Sequence, residues 1–359
     1  MTATMRAARL REIDGAVTLT VDDDVAVPRP GPGEVLLRVR ACGLNQVDLL
    51  TRDGQTPAHV PLPHISGTEV AGDVAEIGTE SGAESGAGVE GWSAGDRVVV
   101  DPVLSCGECS FCRTGATNMC LRGRIFGVQT HGGYAEYVVA PAAQLVRLPD
   151  TMSYADAAAV AVTGPTAWHM LRRRGDVRLG EDVLIIAAGS GIGVLGVQIA
   201  SLAGARVIAT AGSEDKLARA EDLGARFGVN HRDPGWPDRV REWTDGRGVD
   251  LVFEHVGAAT WTGSLRALTR GGRLVTCGGH SGFAVGLDLW HLFVKEHTVI
   301  GSYAGSRHDL VEVLRLVERG EIRPVIQEIV GLDGVVDAQR QLQDRKVFGK
   351  LLLEPGRTT

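Results

Sequence analysis

EDVLIIAAGSGIGVLGVQIASLAGARVIATAGS, residues 181–213, is the stretch that decides the fold. Its opening run, LIIAA, has the unbroken apolar character of a strand buried on both faces. AAGSGIGVLG then sets Gly189, Gly191, Gly193 and Gly196 ahead of the helical run VLGVQIA, with Ser190 and Ile192 between the first glycines. A second strand, ARVIATA, follows about twenty residues on. Glycines at a strand-to-helix turn let backbone come close to a pyrophosphate at the helix N-terminus, so the segment from Gly189 to Gly193 reads as a dinucleotide loop. The alternative is a helix-packing turn with no ligand.

Further buried-type runs follow at VDLVFEHVG (249–257), GGRLVTCGG (271–279) and HTVIGSYAG (297–305). Helix-sized intervals separate several of them, which predicts an α/β fold with a doubly wound parallel sheet. Before about Ala155 the texture is different. EVLLRVRACG (34–43) and DRVVVDP (96–102) are short runs broken by Gly and Pro, as in a β-rich domain. DLVEVLRLVERG (309–320) reads as an amphipathic helix and VFGKLLLEP (347–355) as a last strand. EIGTESGAESGAGVEGWSAG (76–95) is small, acidic and Gly-rich, and is expected to be a mobile surface loop.

The second strand of the dinucleotide unit ends in Thr210, Ala211, Gly212, Ser213, Glu214, Asp215, Lys216. An NAD site usually offers a carboxylate at that strand end to the ribose 2′-OH. Here Ala211 and Gly212 take the place, while Ser213 and Lys216 are suited to a 2′-phosphate. The pattern favours NADPH over NADH, although Glu214 and Asp215 could still turn inward.

CGECSFCRTGATNMC (106–120) holds four cysteines, Cys106, Cys109, Cys112 and Cys120. Thiolates at this spacing can converge on one tetrahedral ion, for which Zn²⁺ is the natural choice, the alternative being four free or disulfide-paired cysteines. Four protein ligands leave no open position, so such a zinc is structural. Cys42 and Cys277 stand apart and read as small buried hydrophobes.

With 359 residues the chain is too long for one ordinary core, and two domains are expected. A net charge of −7 with both signs interspersed argues against nucleic acid and for small-molecule work. The first residues lack a signal-peptide core, and no run of 18 apolar residues occurs, so a cytoplasmic protein without membrane contact is expected.

The zinc lobe, GGYAEYVV (132–139), TGPTAWHML (163–171), the glycine turn and FGKLLL (348–353) together resemble the medium-chain dehydrogenase/reductase superfamily over nearly the whole chain. The nearest likeness is to the quinone oxidoreductase-like branch that keeps the zinc lobe of alcohol dehydrogenases. The resemblance implies a GroES-like catalytic domain at 1–156 and 304–359, with the lobe at 103–122. A Rossmann domain at 157–303 is inserted in it. Homo-oligomers, dimer or tetramer, are implied too.

Alcohol dehydrogenases of that superfamily hold a catalytic zinc, its first ligand in a Gly-x-Cys-x-x-Asp pattern. Here the segment is ACGLNQVD (41–48), with Asn45 at the ligand place. The Gly-His-Glu ligand segment reads Gly67-Thr68-Glu69, and no Cys, Asp or Glu falls at Ala161 to Thr163. An amide and a hydroxyl are poor zinc ligands. The expectation is therefore an enzyme that reduces an activated double bond in a quinone, enone or enoyl thioester, with NADPH and without catalytic zinc. Asn45, Asp48 and Thr68 are its candidate catalytic residues, Asp48 having the alternative of a polar turn network.

The resemblance also implies that Thr163 lies near the nicotinamide ribose and that Cys277, Gly278 and Ser302 border the carboxamide. It sets Lys350 at the pyrophosphate and His231 beside the adenosine 2′ side. His131 and Tyr134 are candidate proton donors. Trp290, Leu292 and Phe293 would line an apolar pocket or serve in packing. Two alternatives stay open: an alcohol dehydrogenase with atypical ligands such as Cys42, His64 and Glu69, and a non-catalytic NADPH-binding protein.

Overall fold

Apolar runs of the buried type form the centre of a six-stranded parallel sheet in a computed structural model that describes residues 3–56, 60–79 and 91–357. Residues 80–90 of the Gly-rich acidic stretch lie outside the described residues, as do 57–59. The sheet order is Phe227–Asn230, Arg206–Ala211, Asp182–Ile185, Val249–Glu254, Leu268–Thr276, Thr298–Gly301. Chain order along it is 3-2-1-4-5-6, with every neighbour parallel. This is a Rossmann sheet, whose order reverses beside Asp182–Ile185, where the glycine turn leaves it. Leu184, Ile186, Ile208, Val252 and Leu274 pack its core with Trp236 and Trp261.

The sheet belongs to a compact unit of residues 163–305 and 319–325; the second unit comprises 1–162, 306–318 and 326–359. In the latter, six strands follow one another in the order Ile326–Val330, Lys350–Leu353, Glu34–Gly43, Glu69–Ile77, Arg97–Val100, Leu145–Arg147. A seventh, Tyr137–Pro141, pairs with Glu34–Gly43. Alternation along Glu34–Gly43 sends Val35, Leu37 and Val39 into an apolar core with Val70, Val98, Phe126 and Tyr134. Register then does chemical work. Leu352 sits opposite Gly43, and Gly43 sits opposite Glu69. Three strands from distant parts of the chain thereby bring Asn45, Glu69 and Lys350 together.

Among the described residues no helix is long and apolar enough to cross a membrane.

Candidate functional site

Asn45 lies two residues beyond the Glu34–Gly43 strand and caps the short helix Gln46–Arg52. Asp48 reaches back from the first turn and accepts the Asn45 N–H at 2.7 Å. The same carboxylate oxygen, Oδ2, accepts the Tyr134 hydroxyl at 2.9 Å, while Oδ1 is buried without a partner. Desolvation pushes Asp48 up to about 6, against the pull of the Asn45 N–H, the Tyr134 hydroxyl and Lys350.

Lys350 is 3% exposed. Its Nζ lies 2.6 Å from Glu69 Oε2, 2.8 Å from Leu44 O and 2.9 Å from Asn45 Oδ1. Glu69 Oε1 accepts the Val162 N–H at 2.9 Å. The buried pair has space only because residue 43 is glycine: a Cβ there would lie 2.0 Å from Glu69 Oε2. Asn45 Nδ2 in turn points at Thr68 Oγ1, 3.3 Å away. Thus Asn45, Asp48 and Thr68 do come together, around a lysine whose expected place was the pyrophosphate. Inside this unit the three donors of its ammonium already have three oxygens.

Cys42 is fully buried and desolvation raises its thiol well above the ordinary range. Its Sγ packs where a Cβ on Gly67 or Gly133 would have to stand. His64 Nε2 lies 3.1 Å from the Gly127 carbonyl, which can only accept, so the ring donates there. His131 Nδ1 accepts the Ile65 N–H at 3.2 Å, and burial lowers both rings. Cys42, His64 and Glu69 do not assemble a ligand set. Among the described residues only the four clustered cysteines do.

The glycine turn in the other unit has the features of an anion site. Ser190 caps the twelve-residue helix Gly191–Leu202, accepting the Gly193 N–H at 2.9 Å. A Cβ on Gly193 would lie 2.4 Å from Ala187 O, so glycine is what allows helix and strand to approach there. Beneath the turn sits His255, which sequence reasoning missed. Its Nε2 is 2.9 Å from Ile186 O and 3.3 Å from Ser190 Oγ, and burial lowers it to about 4. The neutral ring donates to Ile186 O and braces the loop from below.

At the end of the second strand Ser213 caps Glu214–Glu221, with Lys216 N 3.4 Å from its Oγ. His231 Nδ1 lies 3.1 Å from Thr210 Oγ1. Arg232, which sequence reasoning missed as well, lies over Gly212: a Cβ there would be 3.2 Å from its Nε and 3.5 Å from His231 Nε2. Burial, then the charges of Arg219 and Arg232, lowers the Lys216 ammonium. An anion seated among these groups would relieve that repulsion.

Thr163 opens the helix Thr163–Trp168. Cys277 and Ser302 each follow the carboxyl end of a sheet strand, with Ser302 N donating to Thr276 O at 2.8 Å. The Ser302 hydroxyl is buried without a partner. Burial, then Glu254, pushes the Cys277 thiol up to about 12. Trp290 and Phe293 are 66% and 61% exposed, so neither is enclosed by its own unit.

In the cysteine lobe the four sulfurs all lie within 4.8 Å of one another, and Cys106–Cys112 and Cys109–Cys112 are 3.9 and 3.5 Å apart. A tetrahedron with Zn–S bonds of about 2.3 Å needs sulfurs about 3.8 Å apart. Cys106 N and Cys109 N donate to Cys120 and Cys106 Sγ at 3.2 and 3.4 Å, as suits thiolates. The residues fit a structural zinc. In the same way the capped glycine loop fits a dinucleotide.

The zinc-binding dehydrogenase family matches residues 191–319, and the alcohol dehydrogenase GroES-like domain matches 31–150. An NAD-dependent alcohol dehydrogenase of Sulfolobus acidocaldarius is 33% identical, over 92% of this chain and 95% of its own. An acryloyl-coenzyme A reductase of Sulfurisphaera tokodaii is 28% identical, over 93% and 96%. A crystal structure of an NAD-dependent alcohol dehydrogenase superposes with a TM-score of 0.89 and 43% identity, covering 98% of this chain and 100% of that one. With its GroES-like and Rossmann parts both matched, the chain belongs to the medium-chain dehydrogenase/reductase superfamily of oxidoreductases.

Proposed function

We propose that this oxidoreductase reduces an activated double bond, in a quinone, an enone or an enoyl thioester, using NADPH and no metal at the reacting carbon. The observation that carries this reading is the set of groups around Asn45. Where a zinc site needs thiolate and imidazole, the chain has an amide and a hydroxyl, with the Lys350 ammonium 2.9 Å from Asn45 Oδ1.

When bound, the reduced nicotinamide supplies a hydride. The chain's own part is to receive the charge that moves onto the substrate oxygen. Reductions that end in a delocalised enolate or quinol need only hydrogen-bond donors for that, and Asn45 Nδ2 and Thr68 Oγ1 are such groups. The cation group of Lys216, Arg219 and Arg232, with His231 beside it, supports NADPH, since it stands where an NAD site would offer a carboxylate. The cysteine lobe holds one structural zinc.

A homo-oligomer fits the face formed by Trp290, Phe293 and Leu289, all at least 61% exposed, on the helix that precedes the open edge strand Thr298–Gly301. A Trp290→Glu/Phe293→Glu variant should sediment as a monomer; an unchanged mass would remove that face from consideration.

Steady-state NADPH oxidation against quinones, enones and enoyl thioesters, run beside zinc analysis, tests the central reading. Turnover on that panel with one zinc per chain is expected. Two zincs with oxidation of simple alcohols would replace it by alcohol dehydrogenation, and NADPH binding without turnover would replace it by a sensor.

A further inference from the structure

An asparagine side chain has two faces of opposite character, and which one it turns to a ligand is set by its neighbours. Lys350 Nζ has donors and no acceptor, so the Asn45 atom 2.9 Å from it must be Oδ1. The NH₂ group is thereby turned away from the lysine. One of its hydrogens points at Thr68 Oγ1, 3.3 Å away. That occupies an acceptor site of the hydroxyl and leaves its own hydrogen to donate elsewhere. That leaves two hydrogens outside this chain of contacts, one on Asn45 Nδ2 and one on the buried Thr68 Oγ1.

We propose that Lys350 is the positioning residue of this site: it locks the Asn45 carboxamide oxygen-inward, so that Asn45 and Thr68 face the substrate carbonyl as donors only. Glu69 balances the lysine charge at 2.6 Å, so the ammonium is kept in place rather than free to leave for solvent. The Leu44 carbonyl, at 2.8 Å, fixes its height along the strand. Without the lysine the amide can rotate and turn its oxygen, an acceptor, to a substrate oxygen that is gaining negative charge. The inference rests on the reductase reading and deepens it. It also gives Lys350 a task other than the pyrophosphate contact that the resemblance implies.

Removing Lys350 alone would leave the buried Glu69 carboxylate without its cation, and folding itself could fail. The test therefore uses Lys350→Met with Glu69→Gln, which removes both charges, in the parent and in an Asn45→Ala background. In the parent we expect kcat to fall about 10- to 100-fold, with the dissociation constant of NADPH held within about twofold. In the Asn45→Ala background the same pair should cost nothing more, because the residue it acts through is gone. Equal losses in both backgrounds, or a loss seen in NADPH affinity, would overturn the proposal.

A second readout needs no turnover. The chain has three asparagines, Asn45, Asn118 and Asn230. With ¹⁵N-asparagine labelling, the amide pair that Asn45→Ala deletes should shift in the paired variant, its two proton resonances moving toward those of a free asparagine amide. An unmoved pair overturns the proposal even if the parent reduces nothing on the panel, in which case the reductase reading fails separately.

Discussion

Asp48 is a carboxylate without access to water: it is 1% exposed and its Oδ1 has no partner. Desolvation raises its pKa from 3.8 to about 6. A group whose pKa is raised on folding lends stability below its unfolded value, and loses it as pH climbs through the folded one. At pH 8 the buried charge then costs on the order of 3 kcal/mol, at about 1.4 per unit. Asp48→Asn keeps an oxygen for the Asn45 N–H and the Tyr134 hydroxyl. It should melt higher than the parent at pH 8, with the advantage shrinking toward pH 5. Asp101, also raised to about 6 by burial, titrates in both proteins and drops out of the difference. A gap that stays constant with pH would show that Asp48 keeps its ordinary pKa.

Arg232 yields the second prediction at this scale. Arg232→Ala should weaken NADPH about 10- to 100-fold, as the loss of a charged hydrogen bond worth 1.5–3 kcal/mol requires. NADH binding should not change, and equal effects on both nucleotides in a fluorescence titration would refute the assignment. The two residues also show what was legible. Asn45 and Thr68 stood out because the sequence pattern around them is local. The Lys350 contact with Asn45 spans 305 residues and comes from strand register, which periodicity does not encode. Arg232 reaches Gly212 from the next parallel strand, and His255 lies under the turn from a third. No spacing rule joins them to the glycines.

At the scale of elements, the glycine turn and the cysteine lobe were both readable, for different reasons. The turn is a contiguous strand–loop–helix whose glycines answer a local steric demand. The lobe is a run of ligands within fifteen residues. Yet the lobe has no apolar core of its own: its helix Ser110–Arg113 buries no side chain. Two short strands, Val103–Leu104 and Arg124–Ile125, close it. In place of a core it has four sulfurs spaced for one ion, so metal binding is expected to drive local folding there. Cys112→Ser, or chelation of the parent, should open the lobe to trypsin at Arg113, Arg122 and Arg124, all exposed. The sheets of either unit should resist under the same conditions. A lobe equally resistant with and without metal would mean that the cysteines are not its scaffold.

At the scale of the whole molecule, the alternation of strands and helices identified the Rossmann sheet. The split catalytic part was legible only through resemblance, since its short strands pair across hundreds of residues. Each unit nevertheless has its own apolar cluster, one around Val35, Val70 and Phe126, the other around Leu184, Val252 and Trp261. A ligand stabilises what it binds by RT ln(1 + [L]/Kd), about 2.7 kcal/mol at one hundred times Kd. If the units open separately, NADPH at that excess should slow amide exchange about 100-fold in the strands Asp182–Ile185 and Arg206–Ala211. Exchange within the cysteine lobe at 106–120 should stay unchanged. Zinc chelation should do the reverse, exposing 106–120 and leaving the glycine turn protected. Mass-resolved hydrogen exchange reads both arms in one experiment. Matching protection of lobe and glycine turn by NADPH would mean that the chain opens as one cooperative body, and the separate cores would then have no thermodynamic independence.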